Sequence, residues 1–118
     1  MESAINPKVA ALASMVALTL SWLPGPAPAA DEAAARALAR QSNCFKCHAI
    51  DKPKEGPAWK EVAAKYAGKP DAEARLIKHI TSGEKAKFPD GHEEDHTIVK
   101  SKDENEIKNL VDWILSLK

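Results

Sequence analysis

Residues 44–48 read CFKCH, and this short segment constrains the fold more than any other part of the chain. It has the C-x-x-C-H pattern of covalent c-type haem attachment. Cys44 and Cys47 are three residues apart, so both thiols can add to vinyl groups of the same porphyrin. His48 follows directly and can reach the iron as its proximal ligand. The segment therefore predicts one covalently bound haem c around which the chain must fold.

Two other uses of such a cysteine pair are a thioredoxin-like redox motif and half of a zinc site. A redox motif belongs in a βαβ setting, and no segment of this chain predicts a strand convincingly. A zinc site needs a second pair of ligands at matching spacing, and the chain has only two cysteines. A disulfide or a chance match remains as the third alternative, and the export signal described below disfavours it.

The composition fits one small globular domain with no preference for nucleic acid. The chain has 118 residues, of which 44% are hydrophobic and 29% are charged. Lys plus Arg and Asp plus Glu each number 17, so the formal net charge is zero. A domain of this size has little core relative to its surface and usually needs an additional constraint. A covalently held porphyrin would provide one.

The first thirty residues predict a cleavable secretory signal peptide. An apolar run over residues 9–23 is followed by Pro-Gly-Pro and then by small residues, with cleavage expected after Ala29 or Ala30. An uncleaved membrane anchor is the alternative, but roughly 15 apolar residues are fewer than the roughly 20 needed to span a bilayer. We therefore expect a mature domain over residues 31–118 in the periplasm, without stable membrane insertion.

The mature chain predicts an all-α fold of four to five short helices. Three of them are expected over residues 31–41, 58–67 and 72–82, with Pro57 suited to the start of the second. The last helix is the clearest, because a capping box at Ser101 and Glu104 precedes an apolar stripe. Between them lies an aperiodic segment over residues 84–100. A loop of this length in a small domain usually has a function.

These features resemble the small bacterial monohaem cytochromes c of class I over essentially the whole mature chain. The resemblance is carried by residues 44–51, by GPAWKEVAAKY at 56–66 and by VDWILS at 111–116. It implies that the first and last helices cross and that the haem lies in a cleft with one edge exposed. It also implies that the Pro57 carbonyl accepts a hydrogen bond from His48, which would orient the imidazole.

The sequence departs from this family at the sixth iron ligand. Most members use a methionine there, but the only methionines of this chain are Met1 and Met15, within the predicted signal peptide. The corresponding segment contains His92 and His96 instead. Counting back from the last helix favours His96 as distal ligand, whereas counting forward from the third favours His92. An open five-coordinate iron and a lysine-bound iron remain as further alternatives.

Several other residues are candidates for contact with the haem or a partner. His79, on the third helix, occupies a position where the family often contacts a haem propionate, although a solvated role is nearly as plausible. Trp59 is expected near the haem edge or simply in the core. Four lysines lie close to the motif in sequence and form a candidate docking patch: Lys46, Lys52, Lys54 and Lys60.

The sequence therefore predicts a periplasmic one-electron carrier and not an enzyme. Two histidine ligands would give it a low reduction potential. Its partners would be redox proteins of unknown identity, and we expect a monomer. One alternative is the haem relay subunit of a periplasmic dehydrogenase. Another is a five-coordinate, ligand-binding or peroxidase-like haem protein.

Overall fold

The computed structural model describes residues 17–23, 25 and 28–118, so most of the predicted signal peptide lies outside the described residues. The described residues before Asp31 form neither helix nor strand. Across the described ranges, no helix is both long enough and apolar enough to cross a membrane. Signal cleavage after Ala29 or Ala30 stays a prediction.

Within residues 28–118 the chain forms four α-helices, one short 3₁₀ turn and one small hairpin. The helices are α1 (Glu32–Gln41), α2 (Trp59–Tyr66), α3 (Ala72–Thr81) and α4 (Glu104–Ser116). The 3₁₀ turn covers Cys44–Lys46, and the strands are β1 (Lys85–Lys87) and β2 (Glu93–Asp95). The predicted, mostly helical fold is confirmed.

Helices α1 and α4 pack against each other, as the resemblance implied. The Asp31 side chain caps α1 by accepting a hydrogen bond from the Ala34 N–H. Asp31 is also tied to α4, because its N–H donates to Asn109 Oδ1 at 2.8 Å and its carbonyl accepts from Asn109 Nδ2 at 2.9 Å. Leu38 and Leu110, one from each helix, lie in the shared core.

The N-terminus of α4 differs from the predicted capping box. Asp103, not Ser101, is the N-cap, and its side chain accepts hydrogen bonds from the N–H groups of Asn105 and Glu106. The Ser101 hydroxyl instead donates to Glu106 Oε2 at 2.6 Å. Asp and Ser are comparably good caps, and the helix begins two residues later than the predicted capping box implied.

The segment predicted to lack regular structure is partly a β-hairpin. Strands β1 and β2 pair antiparallel, with Lys85 opposite Asp95 and Lys87 opposite Glu93. Gly91 turns the chain at the tip with a φ of 92°, which favours glycine. After β2 the chain returns to the core, where the Val99 N–H donates to the Ile80 carbonyl. The hairpin thus joins the end of α3 to residues 96–100.

Candidate haem site

His48, the predicted proximal ligand, is held in one orientation by its Nδ1. This nitrogen donates to the Pro57 carbonyl oxygen at 2.8 Å, the contact that the resemblance implied. Helix α2 starts at Trp59, two residues later than Pro57, so Pro57 serves as an acceptor and not as the first helical residue. With Nδ1 protonated and bonded, Nε2 carries the free lone pair that a metal needs.

The surroundings of His48 fix its ring on two further sides. A Cβ at Gly56 would lie 2.5 Å from His48 Cε1, so only glycine leaves room for the imidazole there. Trp59 stacks on the other side at a centroid distance of 5.7 Å. Burial lowers the pKa of His48, so its neutral, metal-binding form predominates at neutral pH.

Trp59 is both a core residue and a neighbour of the site. Its side chain is 4% exposed, and its ring meets Trp113 edge-on at 5.5 Å and Phe45 at 5.1 Å. Trp113 lies in the core itself. The two expectations for Trp59 are therefore compatible, because one residue joins the proximal histidine to the core.

Cys44 begins the 3₁₀ turn, and Cys47 directly follows it. The Cys47 and His48 N–H groups both donate to the Cys44 carbonyl, which closes the turn and brings the three side chains together. Burial raises the pKa of the Cys44 thiol. Burial also raises the pKa of Cys47, with a further contribution from Glu55, whose carboxylate is 3.4 Å from the sulfur.

His96, the favoured distal candidate, faces the same region from the hairpin side. Its ring centroid lies 6.2 Å from that of His48. Its Nδ1 donates to the Thr97 carbonyl at 2.9 Å, which again leaves Nε2 with the free lone pair. Burial, followed by the nearby His79, lowers the pKa of His96. Both imidazoles therefore present the neutral form.

His92, the other distal candidate, lies in the hairpin turn and is engaged by carboxylates. Its Nδ1 bonds to Asp90, its Nε2 is 3.4 Å from Glu94 Oε1, and its ring stacks on Phe88 at 4.3 Å. The bond to Asp90 raises the pKa of His92, which favours the imidazolium. A protonated imidazole cannot bind iron, so the surroundings of His92 favour a surface ion pair.

His79 lies beside His96 and not in open solvent. The two ring centroids are 4.1 Å apart, and His79 Nδ1 donates to Glu84 Oε1 at 2.7 Å. Its predicted contact with a haem propionate would therefore have to use the other ring nitrogen. That contact stays a prediction.

A cavity of about 610 Å³ separates the motif from the hairpin. His92 is among its lining residues, whereas His48, His96 and the two cysteines are not, so this cavity is not the space between the imidazoles of His48 and His96. Its rim carries both signs of charge, from Lys46, Lys54, Glu55, Asp90, His92 and Glu94. Acidic side chains therefore lie beside two of the predicted docking lysines, Lys46 and Lys54, at the rim of this cavity.

The four lysines differ in their surroundings. Lys54 Nζ donates to the Phe45 carbonyl at 2.7 Å, and Lys60 forms an ion pair with Asp51 at 2.6 Å. Lys46 and Lys52 are exposed. The pairing of Lys60 reduces its contribution to any positive patch. A docking role for these residues stays a prediction.

The donor set fits a covalently bound haem with two imidazole ligands. A metal bonded at about 2 Å to a nitrogen of each ring would fit between rings separated as those of His48 and His96 are. The thiols of Cys44 and Cys47 lie on the turn that carries His48. His48 and His96 are far apart in the sequence, before α2 and after the hairpin, and the fold brings their rings together.

Residues 32–118 match the cytochrome c family. The chain belongs to the cytochrome c family. Its relatives place it among the class I monohaem proteins, which carry electrons and hold one haem c. It is 38% identical over 81 residues to cytochrome c-552 of Nitrosomonas europaea, covering 69% of this chain and 76% of that one. It is 36% identical to cytochrome c-551 of Pseudomonas aeruginosa, covering 69% and 74%.

Solved structures give the same answer for this cytochrome. The class 1 cytochrome MtoD from Sideroxydans lithotrophicus ES-1 is 65% identical, with a TM-score of 0.72, and covers 75% of this chain and 97% of that one. Wild-type Nitrosomonas europaea cytochrome c552 is 34% identical, with a TM-score of 0.57, and covers 70% and 99%. The predictions of a class I fold, of one covalent haem c and of an electron carrier that is not an enzyme are confirmed.

Sequence reasoning missed several residues that shape the site of this cytochrome. Gly56 has no side chain and so leaves space for the imidazole of His48, and the Thr97 carbonyl orients the imidazole of His96. Glu84 joins Arg75 and His79, which are four residues apart on the same face of α3. Of these only Gly56 had a signal, as a glycine before a proline close to the motif. The other contacts depend on how the hairpin returns to the core.

Proposed function

We propose that this cytochrome is a periplasmic one-electron carrier whose haem iron is bound by His48 and His96 and has a low reduction potential. The observation that carries the proposal is the pair of half-buried imidazoles of His48 and His96. Their ring centroids are 6.2 Å apart, and the Nδ1 of each donates to a backbone carbonyl. The bound haem supplies the one-electron chemistry. The chain orients the two ligands and controls how much water reaches them.

The charge state of the candidate ligands supports His96 over His92. Burial lowers the pKa of His96, whereas Asp90 raises the pKa of His92. Proton release from His92 would also break its ion pair with Asp90 before any metal bond could form. His96 has neither cost at neutral pH, and its ring centroid lies 6.2 Å from that of His48.

The same arrangement argues for an electron carrier over a ligand-binding haem protein. An open iron needs a distal side where no side chain reaches the metal. Here an imidazole with a free lone pair faces His48.

The periplasmic location rests on two features. The apolar run over residues 9–23 ends in small residues suited to signal cleavage, and haem is attached to C-x-x-C-H outside the bacterial cytoplasmic membrane. Redox proteins would be its donor and acceptor, approaching the motif where Lys46, Lys52 and Lys54 lie.

The experiment that tests this function is potentiometry of the holoprotein and of His96→Met. Methionine favours ferrous iron and raises the potential, whereas imidazole favours ferric iron. We expect the potential to rise in His96→Met by on the order of 0.1 V, a fraction of the roughly 0.8 V that axial ligands span. His92→Met is the matched control and should leave the potential of the haem near that of the wild type.

A rise in His92→Met with no change in His96→Met would reverse the assignment of the two histidines. No change in either variant would remove the two-histidine proposal. The ferric wild-type spectrum should be low-spin in the same preparation.

A further inference from the structure

Three side chains between α3 and the hairpin form a cluster that contacts His96. Arg75 Nη1 and His79 Nδ1 both donate to the same oxygen, Glu84 Oε1, at 2.5 and 2.7 Å. Glu84 is the first residue after the glycine that ends α3, and it directly precedes β1. The cluster, named here the Glu84 cluster (Arg75, His79 and Glu84), thus fixes the start of the hairpin to the side of α3.

The main chain of Glu84 reaches His96 directly. The Glu84 carbonyl accepts a hydrogen bond from the His96 N–H at 2.9 Å, one step beyond the Lys85–Asp95 pair of the hairpin. The Glu84 N–H donates to Ser82 Oγ at 3.3 Å. One residue therefore holds α3 by its side chain and the backbone of His96 by its carbonyl.

The imidazole of His96 is supported by the same cluster. The His79 ring packs on it at a centroid distance of 4.1 Å, and Glu84 holds that ring through Nδ1. Glu84 stays ionised across physiological pH, because its bonds to Arg75 and His79 lower its pKa to about 2. Both the backbone and the ring of His96 therefore depend on where Glu84 lies.

We propose that Glu84 is a positioning residue for His96, which it keeps in reach of the iron by anchoring both the His96 backbone and the adjacent His79 ring to α3. This inference rests on the proposed role of His96 as sixth ligand. The reason is mechanical. His96 directly follows the three-residue strand β2 and precedes a segment without regular structure, so few backbone hydrogen bonds hold it in place. The Glu84 cluster attaches it to α3.

The test measures how fast cyanide binds to the ferric holoprotein. Cyanide can bind only after the sixth ligand has left the iron, so the observed rate reports how often His96 is released. We expect Glu84→Ala to bind cyanide about threefold faster or more, which is the range that an exposed ion pair can support. Glu84→Gln keeps an acceptor oxygen at the same reach and should lie between the wild type and Glu84→Ala.

Glu73→Ala is the matched control. Glu73 also lies on α3, and its ion pair, with Lys108 at 2.9 Å, is made to α4. Its loss should leave the cyanide rate within experimental error of the wild type. Equal rates in Glu84→Ala and Glu73→Ala would overturn the inference. If Glu84→Ala yields no holoprotein, Arg75→Gln takes its place, with the same direction expected and an unchanged rate counting against the inference.

His96→Ala separates this inference from the proposed function. If cyanide binds His96→Ala no faster than the wild type, His96 is not the ligand, and the proposed function fails. If His96→Ala opens the site but Glu84→Ala behaves like the control, only the positioning role fails. A Glu84→Ala holoprotein that binds cyanide no faster than the wild type would contradict the positioning role of Glu84.

Discussion

The imidazoles of His48 and His96 share one feature: a backbone carbonyl at Nδ1. Pro57 supplies it for His48 and Thr97 supplies it for His96. A resemblance to the family was enough to predict the first contact, because Pro57 lies in a segment that the family shares. The second contact was not predictable, because it involves a carbonyl in an irregular segment whose path depends on tertiary packing.

His92 shows why residue type and sequence spacing alone could not identify the distal ligand. Both histidines of the segment are imidazoles in nearly the same stretch of sequence, and the two counting arguments disagreed. Their surroundings differ: the carboxylates of Asp90 and Glu94 contact the imidazole of His92, whereas the imidazole of His96 is half-buried. Burial of a loop residue is a property of the fold and leaves no pattern in a single sequence.

The pKa of His92 gives a prediction about pH. Because Asp90 raises this pKa above its ordinary value of 6.5, the pair stabilises the folded state fully below pH 6.5. That contribution is lost as the pH rises through the raised pKa. We therefore expect His92→Asn to unfold at a lower temperature than the wild type at pH 6, with the difference disappearing in alkaline buffer.

Thermal unfolding of both holoproteins across this pH range is the measurement. Asp90→Asn serves as control, since it removes the other half of the pair and should give the same pH profile. A difference that grows with pH would contradict the assignment of His92 to a surface ion pair.

The hairpin was the element that sequence reasoning missed. Its strands are only three residues long, and no residue of β2 is buried, so neither strand shows the alternation that predicts a half-buried strand. The helices, by contrast, were predicted within one or two residues at most ends. Each has a buried apolar face with a period near 3.6 residues, which the sequence displays directly.

Ser42 links two of these elements and carries a prediction. It is 1% exposed at the end of α1, and its hydroxyl accepts the Lys100 N–H at 3.0 Å, which attaches the segment after His96 to the core. Ser42→Ala leaves that N–H without its acceptor. We expect a loss of about 1 kcal/mol in the free energy of unfolding, the net contribution of a typical intramolecular hydrogen bond, because this bond is only partly buried.

Denaturant unfolding of the holoprotein measures this loss. Ser116→Ala is the matched control, because the Ser116 hydroxyl donates only to a carbonyl of its own helix. The control should change stability by about 0.5 kcal/mol or less. If the two variants are equally stable, Ser42 does not anchor the distal segment.

At the scale of the whole molecule, the C-x-x-C-H motif determined most of what could be predicted. It implied one haem c, whereas the helices were predicted from their own apolar patterns and the fold class from the resemblance to class I cytochromes c. The closing helix packs on α1, where the Asn109 side chain forms two hydrogen bonds with the backbone of Asp31. The charge pattern around the cavity was not predictable, because it combines residues from two distant segments.

Two alanine variants test the central claim, that His48 and His96 hold the iron together, more directly than any other measurement. Visible spectra of the ferric holoproteins, and of the ferrous holoproteins with carbon monoxide, should be recorded for the wild type, His96→Ala and His92→Ala. The account predicts a low-spin wild type that does not bind carbon monoxide readily. It predicts a high-spin His96→Ala that binds carbon monoxide fast, and a His92→Ala that resembles the wild type. A low-spin His96→Ala, or a His92→Ala that opens the site, would contradict it.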